Sequence, residues 1–193
     1  MIFRSDLIPR YHWQYGWRDV LRGVYARLSP PTENGSIHLE GVGDCLPIRS
    51  GRAALVAAIR AKGLQPGSSI AVSLYCCPVV FEAIVASECV PLFVDVDSST
   101  FCISIPDLAE KADTISAVIA VHMFGNLCDM DGICAVTSHK PVIEDCAQAL
   151  GSTMKGCAAG AQSKRRAGVV VRGTPESRDL GFVLTATPTR EAL

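Results

Sequence analysis

From Leu46 onward, apolar and polar residues fall into short blocks whose period switches repeatedly between that of a helix and that of a strand. GRAALVAAIRAKG is rich in helix formers and stops at Gly63, and Pro66-Gly67 marks the turn that follows. SIAVSLY then reads as a strand. PVVFEAIVASEC reads as a helix with Pro78 in its first turn, and VPLFVDVD as the next strand. IPDLAEKAD predicts a short helix. ISAVIAVHMFG is almost continuously apolar, as a strand covered on both faces should be. DMDGICAVTSHK is a further helical segment, and PVIEDCAQAL a strand that ends in acid. Strands alternating with helices at this spacing predict an α/β fold, a mainly parallel sheet with helices on both faces.

Outside this rhythm the pattern weakens. Residues 1–45 read as an N-terminal arm: YHWQYGWRDVLRGVYARL predicts a helix with an aromatic face. Ser29 to Gly43, with two prolines and four glycines or asparagines, reads as loop. Residues 46–162 form the patterned domain, and residues 163–193 a divergent tail with only two apolar scraps, VVV and GFVL. From Ala161 onward there are six Lys or Arg against three Asp or Glu, unlike the rest of the chain.

Composition adds exclusions. A formal net charge of -1 gives no electrostatic reason to expect nucleic acid or an anionic membrane as partner. No apolar run approaches bilayer length, and the polar, aromatic start MIFRSDLIPRYHWQYGW lacks a signal-peptide core, so a cytoplasmic location is expected. Nine cysteines without C-x-x-C spacing, and four scattered histidines, give no metal motif; reduced thiols packed as small hydrophobes are expected.

In open parallel sheets ligands bind at the carboxyl ends of the strands. Four places qualify: Ser50-Gly51-Arg52, Tyr75-Cys76-Cys77, His122-Met123-Phe124-Gly125 and Asp145-Cys146-Ala147-Gln148. The first opens a helix, where backbone N–H groups suit a phosphate. In the last, the acid closing VIED is either a helix cap or a carboxylate placed to hold a cationic ligand group.

Four segments, SGRAALVAAIRAKGLQPGSSIAV, VPLFVDVDSSTFCIS, AVHMFGNLCDMDGI and PVIEDCAQALGSTMKG, together resemble the DegT/DnrJ/EryC1/StrS family of pyridoxal 5'-phosphate (PLP)-dependent aminotransferases. The resemblance covers roughly residues 48 to 160. It implies an incomplete fold type I PLP-transferase large domain, a keto-sugar substrate often linked to a nucleotide, an amino-acid donor and a homodimer. It also implies cofactor-binding roles. Asp145 would pair with the pyridine nitrogen, and Gln148 would lie near the ring's 3-oxygen. Gly51 and Arg52 would hold the phosphate, although Arg52 stands where the family commonly has Thr. Cys77 would occupy the ring-stacking position, with Tyr75 two residues earlier as its substitute. His122 and Phe124 match an H-x-[YF]-G element and read as pocket scaffold.

Each has a plainer reading: Asp145 an N-cap, Gln148 a solvated helix residue, Arg52 a surface charge, Tyr75 a core edge. The family also needs a lysine to carry the cofactor as a Schiff base. Lys155 belongs to the MKG turn and Lys164 to a basic SKRR run, so the catalytic lysine is not visible. A truncated or frame-shifted remnant is therefore expected, without the family's closing strands. The alternatives are a non-catalytic fragment and a small α/β binding domain, the latter without G-x-G-x-x-G or P-loop motif.

Overall fold

A computed structural model describes residues 16–28, 37–39, 43–48, 50–138, 140–161, 169–172 and 181–184 of the 193. The chain divides into two compact units, Met1–Gly35 and Ser36–Leu193. The first contains α1 (Trp17–Leu28), within the expected aromatic helix. Trp17, Val20, Leu21, Val24, Tyr25 and Leu28 recur at helical spacing along it and are exposed.

The second unit is built on one sheet. Its strands are β1 (Ile37–Leu39), β2 (Gly43–Ile48), β3 (Ser69–Ser73), β4 (Val90–Val94), β5 (Ala117–Val121), β6 (Val142–Asp145), β9 (Val169–Arg172) and β10 (Gly181–Leu184). A separate hairpin holds β7 (Thr153–Met154) and β8 (Cys157–Ala158). The large sheet runs β1-β2-β10-β9-β6-β5-β3-β4. From β9 to β4 every pairing is parallel, and β10, β2 and β1 add antiparallel neighbours. The expected mainly parallel α/β sheet is what the chain forms.

Two stretches expected outside the sheet join it. Ile37–Leu39, within the predicted loop, pairs antiparallel with β2. The scraps VVV and GFVL of the tail are β9 and β10, so the sheet continues beyond β6. Runs this short carry too few residues to establish a period, and only long-range pairing reveals them.

Four helices cover the sheet: α2 (Gly51–Ala61), α3 (Pro78–Ala86), α4 (Ile105–Lys111) and α5 (Met130–Val136). Alternation along the strands assigns the faces. Ile70 and Val72 of β3, Ile119 and Val121 of β5 and Ile143 of β6 pack with Leu55 and Ile59 of α2 and Val80 and Ile84 of α3. Ala71, Val118, Ala120 and Val142 face the other way, onto Leu108 of α4 and Ile133 of α5. Each β5 residue is buried, as its unbroken apolar sequence requires.

The winding direction reverses within this order. β3 is followed through α3 by β4 on one side, whereas β4 is followed through α4 by β5 on the other side of β3. A topological switch point therefore lies between the carboxyl ends of β3 and β5, where ligands of open α/β sheets bind.

Candidate functional site

Three elements converge on that edge. α2 leads through the Pro66-Gly67 turn into the start of β3, so its C-terminus lies at the opposite edge and its N-terminus at the carboxyl edge. Its 11 residues span about 16 Å, the length of a five-residue strand. Ser50 caps it: the hydroxyl accepts from the Ala53 N–H at 3.2 Å. Gly51 is buried at the first helical position. The Arg52 guanidinium points to Glu82 of α3 at 2.6 Å, with both side chains more than half exposed.

β6 brings two acids. Glu144 and Asp145 are consecutive, so they face opposite sides of the sheet. Asp145 lies on the Ile143 side, the face of α2, and is 3% exposed. Its Oδ1 accepts the Ala147 N–H at 3.0 Å, and its backbone carbonyl accepts the His122 N–H at 3.0 Å. The Asp145 side chain bonds within the turn after β6 and opens no helix, unlike a helix cap.

Cys76 is the residue after β3 whose titration feels Asp145. Burial, with the Asp145 carboxylate and Cys77 adding to it, pushes the Cys76 thiol up to about 12. A neutral thiol therefore sits beside the acid. Cys77 starts α3 as its N-terminal flanking residue and is half-buried.

Tyr75 forms an aromatic group with two residues from other loops. Its ring centroid is 5.8 Å from Phe101 and 6.3 Å from Phe124, and Phe101 and Phe124 meet edge to face at 5.7 Å. All three are exposed, so Tyr75 lies at the mouth of the edge. Phe101 and Phe124 both adopt left-handed backbone, with φ of 60° and 54°. Such conformations are uncommon for aromatic residues and mark loops held by their surroundings. Gln148 is exposed and binds the same loop: its Oε1 accepts the Phe124 N–H at 3.3 Å and its carbonyl accepts the Gly125 N–H at 2.9 Å.

Behind this edge, on the α4/α5 face, lies a buried polar clamp. His122 Nδ1 accepts the Cys128 N–H at 3.0 Å, which leaves the proton on Nε2 to face Glu144 Oε2 at 3.2 Å. The same Glu144 oxygen accepts the Gly160 N–H at 2.9 Å. His122, Glu144 and Cys146 place possible ligand atoms within 4.8 Å of one another. The histidine's two nitrogens are already engaged, and burial holds the Cys146 thiol well above its ordinary range, so the cluster reads as a structural lock.

The lysines stand elsewhere. Lys155, in the β7–β8 turn, binds Asp131 at 3.1 Å, and that hydrogen bond raises its pKa. Lys62 flanks the C-terminus of α2, at the opposite edge. Lys111 binds Asp107 and the Phe93 carbonyl, and Lys140 binds the Ala112 carbonyl. Among the described residues no lysine reaches the edge; Lys164 lies outside them.

These features define an α/β domain whose switch point brings together a buried acid, a helix N-terminus and an aromatic rim, a candidate ligand edge. Residues 33–169 match the model of the DegT/DnrJ/EryC1/StrS aminotransferase family, and the chain belongs to that family. It is 35% identical over 125 residues to the L-glutamine:2-deoxy-scyllo-inosose aminotransferase of Streptomyces lividus, covering 63% of this chain and 29% of that protein. The chain thus spans under a third of the length of that relative. Two solved structures share its fold. One is the putative sugar aminotransferase Spr1654 from Streptococcus pneumoniae in its apo form, with a TM-score of 0.76, 20% identity, and 94% of this chain and 53% of that chain covered. The other is NtdA from Bacillus subtilis with bound cofactor PMP, with a TM-score of 0.70, 23% identity, and 88% and 42% covered. Among the described residues no helix is long and apolar enough to cross a membrane.

Proposed function

We propose that this chain carries the cofactor-binding edge of a PLP-dependent sugar aminotransferase. The observation behind it is the buried Asp145 on the same face and edge as the N-terminus of α2. A buried carboxylate suits a protonated pyridine nitrogen, and a capped helix N-terminus suits a phosphate, so the residues present fit the group. When bound, PLP acts as an electron sink for the substrate carbon that loses its proton.

The chain's own residues supply binding and orientation. Asp145 would hold the ring nitrogen's proton from the α2 face, and the Cys76 thiol, pushed up to about 12 by burial and by that carboxylate, would add no charge there. Gly51 brings backbone N–H groups to the phosphate. Arg52 must leave or share Glu82 to reach the same group. Tyr75 would cover the ring in preference to Cys77, because its side chain stands among the rim aromatics whereas Cys77 begins a helix. Gln148 acts near the ring's 3-oxygen while its Oε1 steadies the Phe124 loop. A keto-sugar, often nucleotide-linked, and an amino-acid donor are the substrates, in a cytoplasmic homodimer.

The described lysines supply no amine at this edge, so the reading is of a binding domain whose catalytic competence needs a residue outside them. The test is equilibrium dialysis of the purified chain against PLP, followed by borohydride reduction and peptide mapping. Saturable binding that weakens about tenfold or more in Asp145→Asn, the loss of one charge-assisted hydrogen bond, supports the proposal. Fixation at Lys164 would add catalytic competence. Absence of saturable binding, or equal binding by Asp145→Asn, overturns it.

A further inference from the structure

β4 ends the large sheet, and its second side pairs with no other strand among the described residues. The hydrogen bonds to β3 decide which groups that side presents. The Val90 N–H donates to the Ser68 carbonyl, and the Val94 carbonyl accepts the Leu74 N–H. Val90, Leu92 and Val94 therefore turn their backbone groups inward, and by the two-residue period Pro91, Phe93 and Asp95 turn theirs outward. Val90 and Phe93 are exposed on opposite faces of the strand, and Phe93 stands edge-on to Phe81 of α3 at 5.1 Å. An open edge with apolar side chains is a template for a strand from another chain.

Each outward position is blocked by a different device. Pro91 has no N–H to give. The Asp95 carbonyl accepts the Ser104 N–H at 2.9 Å, and the Asp95 N–H donates to Asp107 Oδ2 at 2.7 Å. Beyond it Val96 bridges Ile103 and the Asp97 N–H donates to the Cys102 carbonyl at 2.8 Å, so the chain folds back along its own edge. Between Pro91 and Asp95 stands Phe93, whose carbonyl accepts Lys111 Nζ at 3.1 Å. Asp107 holds that ammonium at 2.6 Å. Ser104, Asp107 and Lys111 are the cap, first turn and last turn of α4, spaced so that one face of the helix lies along the edge.

We propose that α4 is a built-in cover for the β4 edge, and that Lys111 keeps a second copy of this chain from pairing there. The proposal does not depend on the cofactor reading. The occupant follows from the geometry. In an antiparallel pair two opposed residues exchange both N–H···O bonds, so Phe93 of one copy can meet Phe93 of another about a twofold axis. That exchange needs the Phe93 N–H and carbonyl, and Lys111 occupies the carbonyl. Pro91 on one side and the Asp95 fold-back on the other confine pairing to this point. The released edge therefore gives a closed, weak dimer that forms at high concentration, not a growing fibre.

The test compares the full chain with Lys111→Met, which keeps the stem and loses the donor, and with Lys111→Arg, which keeps a donor. Light scattering after size exclusion gives the mass, and amide exchange followed by NMR reads Phe93. In the unsubstituted chain the Phe93 amide should exchange fast, while those of Leu92 and Val94, turned to β3, are protected. Lys111→Met should move toward twice the mass of the unsubstituted chain as concentration rises, with exchange at Phe93 slowed about tenfold. Lys111→Arg should do neither. Lys111→Met/Phe93→Pro removes the outward donor without touching the β3 bonds and should return to the original mass. A constant mass in Lys111→Met, or a rise with Phe93 still exchanging fast, overturns the proposal. So does an equal rise in Ser50→Ala, which is weakened away from this edge. Protection of the Phe93 amide in the unsubstituted chain overturns it as well, and that reading needs no variant to fold.

Discussion

Replacing Glu144 by Ala tests the buried clamp most directly. One carboxylate oxygen accepts from both His122 Nε2–H and the Gly160 N–H, at 3.2 and 2.9 Å. Both partners are buried, so truncation leaves two donors with no water to turn to. An unsatisfied buried donor costs roughly 1–3 kcal/mol, giving about 2–6 kcal/mol for the pair. Removing a buried charge returns part of its desolvation cost, which places the net loss near about 3 kcal/mol, at the low end for breaking a buried pair. Glu144→Gln can place its one oxygen on both donors, with the NH2 at the other carboxylate position, and loses the charge that strengthens the two bonds. It should lose about half as much. Urea unfolding followed by far-UV circular dichroism, with the slope checked for constancy, measures both. Equal losses for Gln and Ala would show that the oxygen's acceptor role is not what stabilises this region. A loss under about 0.5 kcal/mol for Ala would remove the clamp from the account altogether.

Two further predictions concern the elements around the site. Ser50→Ala removes the only side-chain cap found on α2 and should cost about 1 kcal/mol in the same assay, with Ser50→Asp restoring most of it. Asp107 is held below its ordinary 3.8 by its hydrogen bond to Lys111 and by the Asp95 N–H at 2.7 Å. A lowered carboxylate stabilises the fold above pH 3.8 and loses that contribution as pH falls through the depressed folded value, so urea midpoints should drop there, and less steeply in Asp107→Asn.

The sequence pattern reaches the parallel core because burial on two faces leaves a strong trace. β5 and the alternating faces of β3 are legible from their residues, and Pro78 marks a helix start in the expected way. What escapes the pattern is set by distance in sequence. β9 and β10 are four residues each, and only pairing with β6 and β2 identifies them. The clamp joins residues 22 apart through a parallel register that aligns Val121 with Asp145. The orientation of the Tyr75-Cys76-Cys77 run escaped for a local reason. β3 ends at Ser73, so two-residue alternation no longer says which neighbour turns toward Asp145. Left-handed Phe101 and Phe124 give no signal either, since nothing in an aromatic residue type favours that conformation.

The consecutive acids at the end of β6 show how one strand terminus serves two purposes. Period two sends Glu144 into the α4/α5 face and Asp145 into the α2 face. Glu144 is consumed by His122 and Gly160, and this fixes the strand end on which Asp145 rides. Shifting β6 by one residue would exchange the two, burying the clamp's acid where the ligand edge belongs. The His122 N–H bond to the Asp145 carbonyl extends the ladder one residue past β5 and opposes that slip. The His122 ring holds Glu144 Oε2 and also receives the Cys128 N–H, so the acid clamp and the position of the Cys128 loop depend on one buried side chain. Loss of the His122 ring should therefore loosen both, whereas loss of Glu144 should act first on the β6 side.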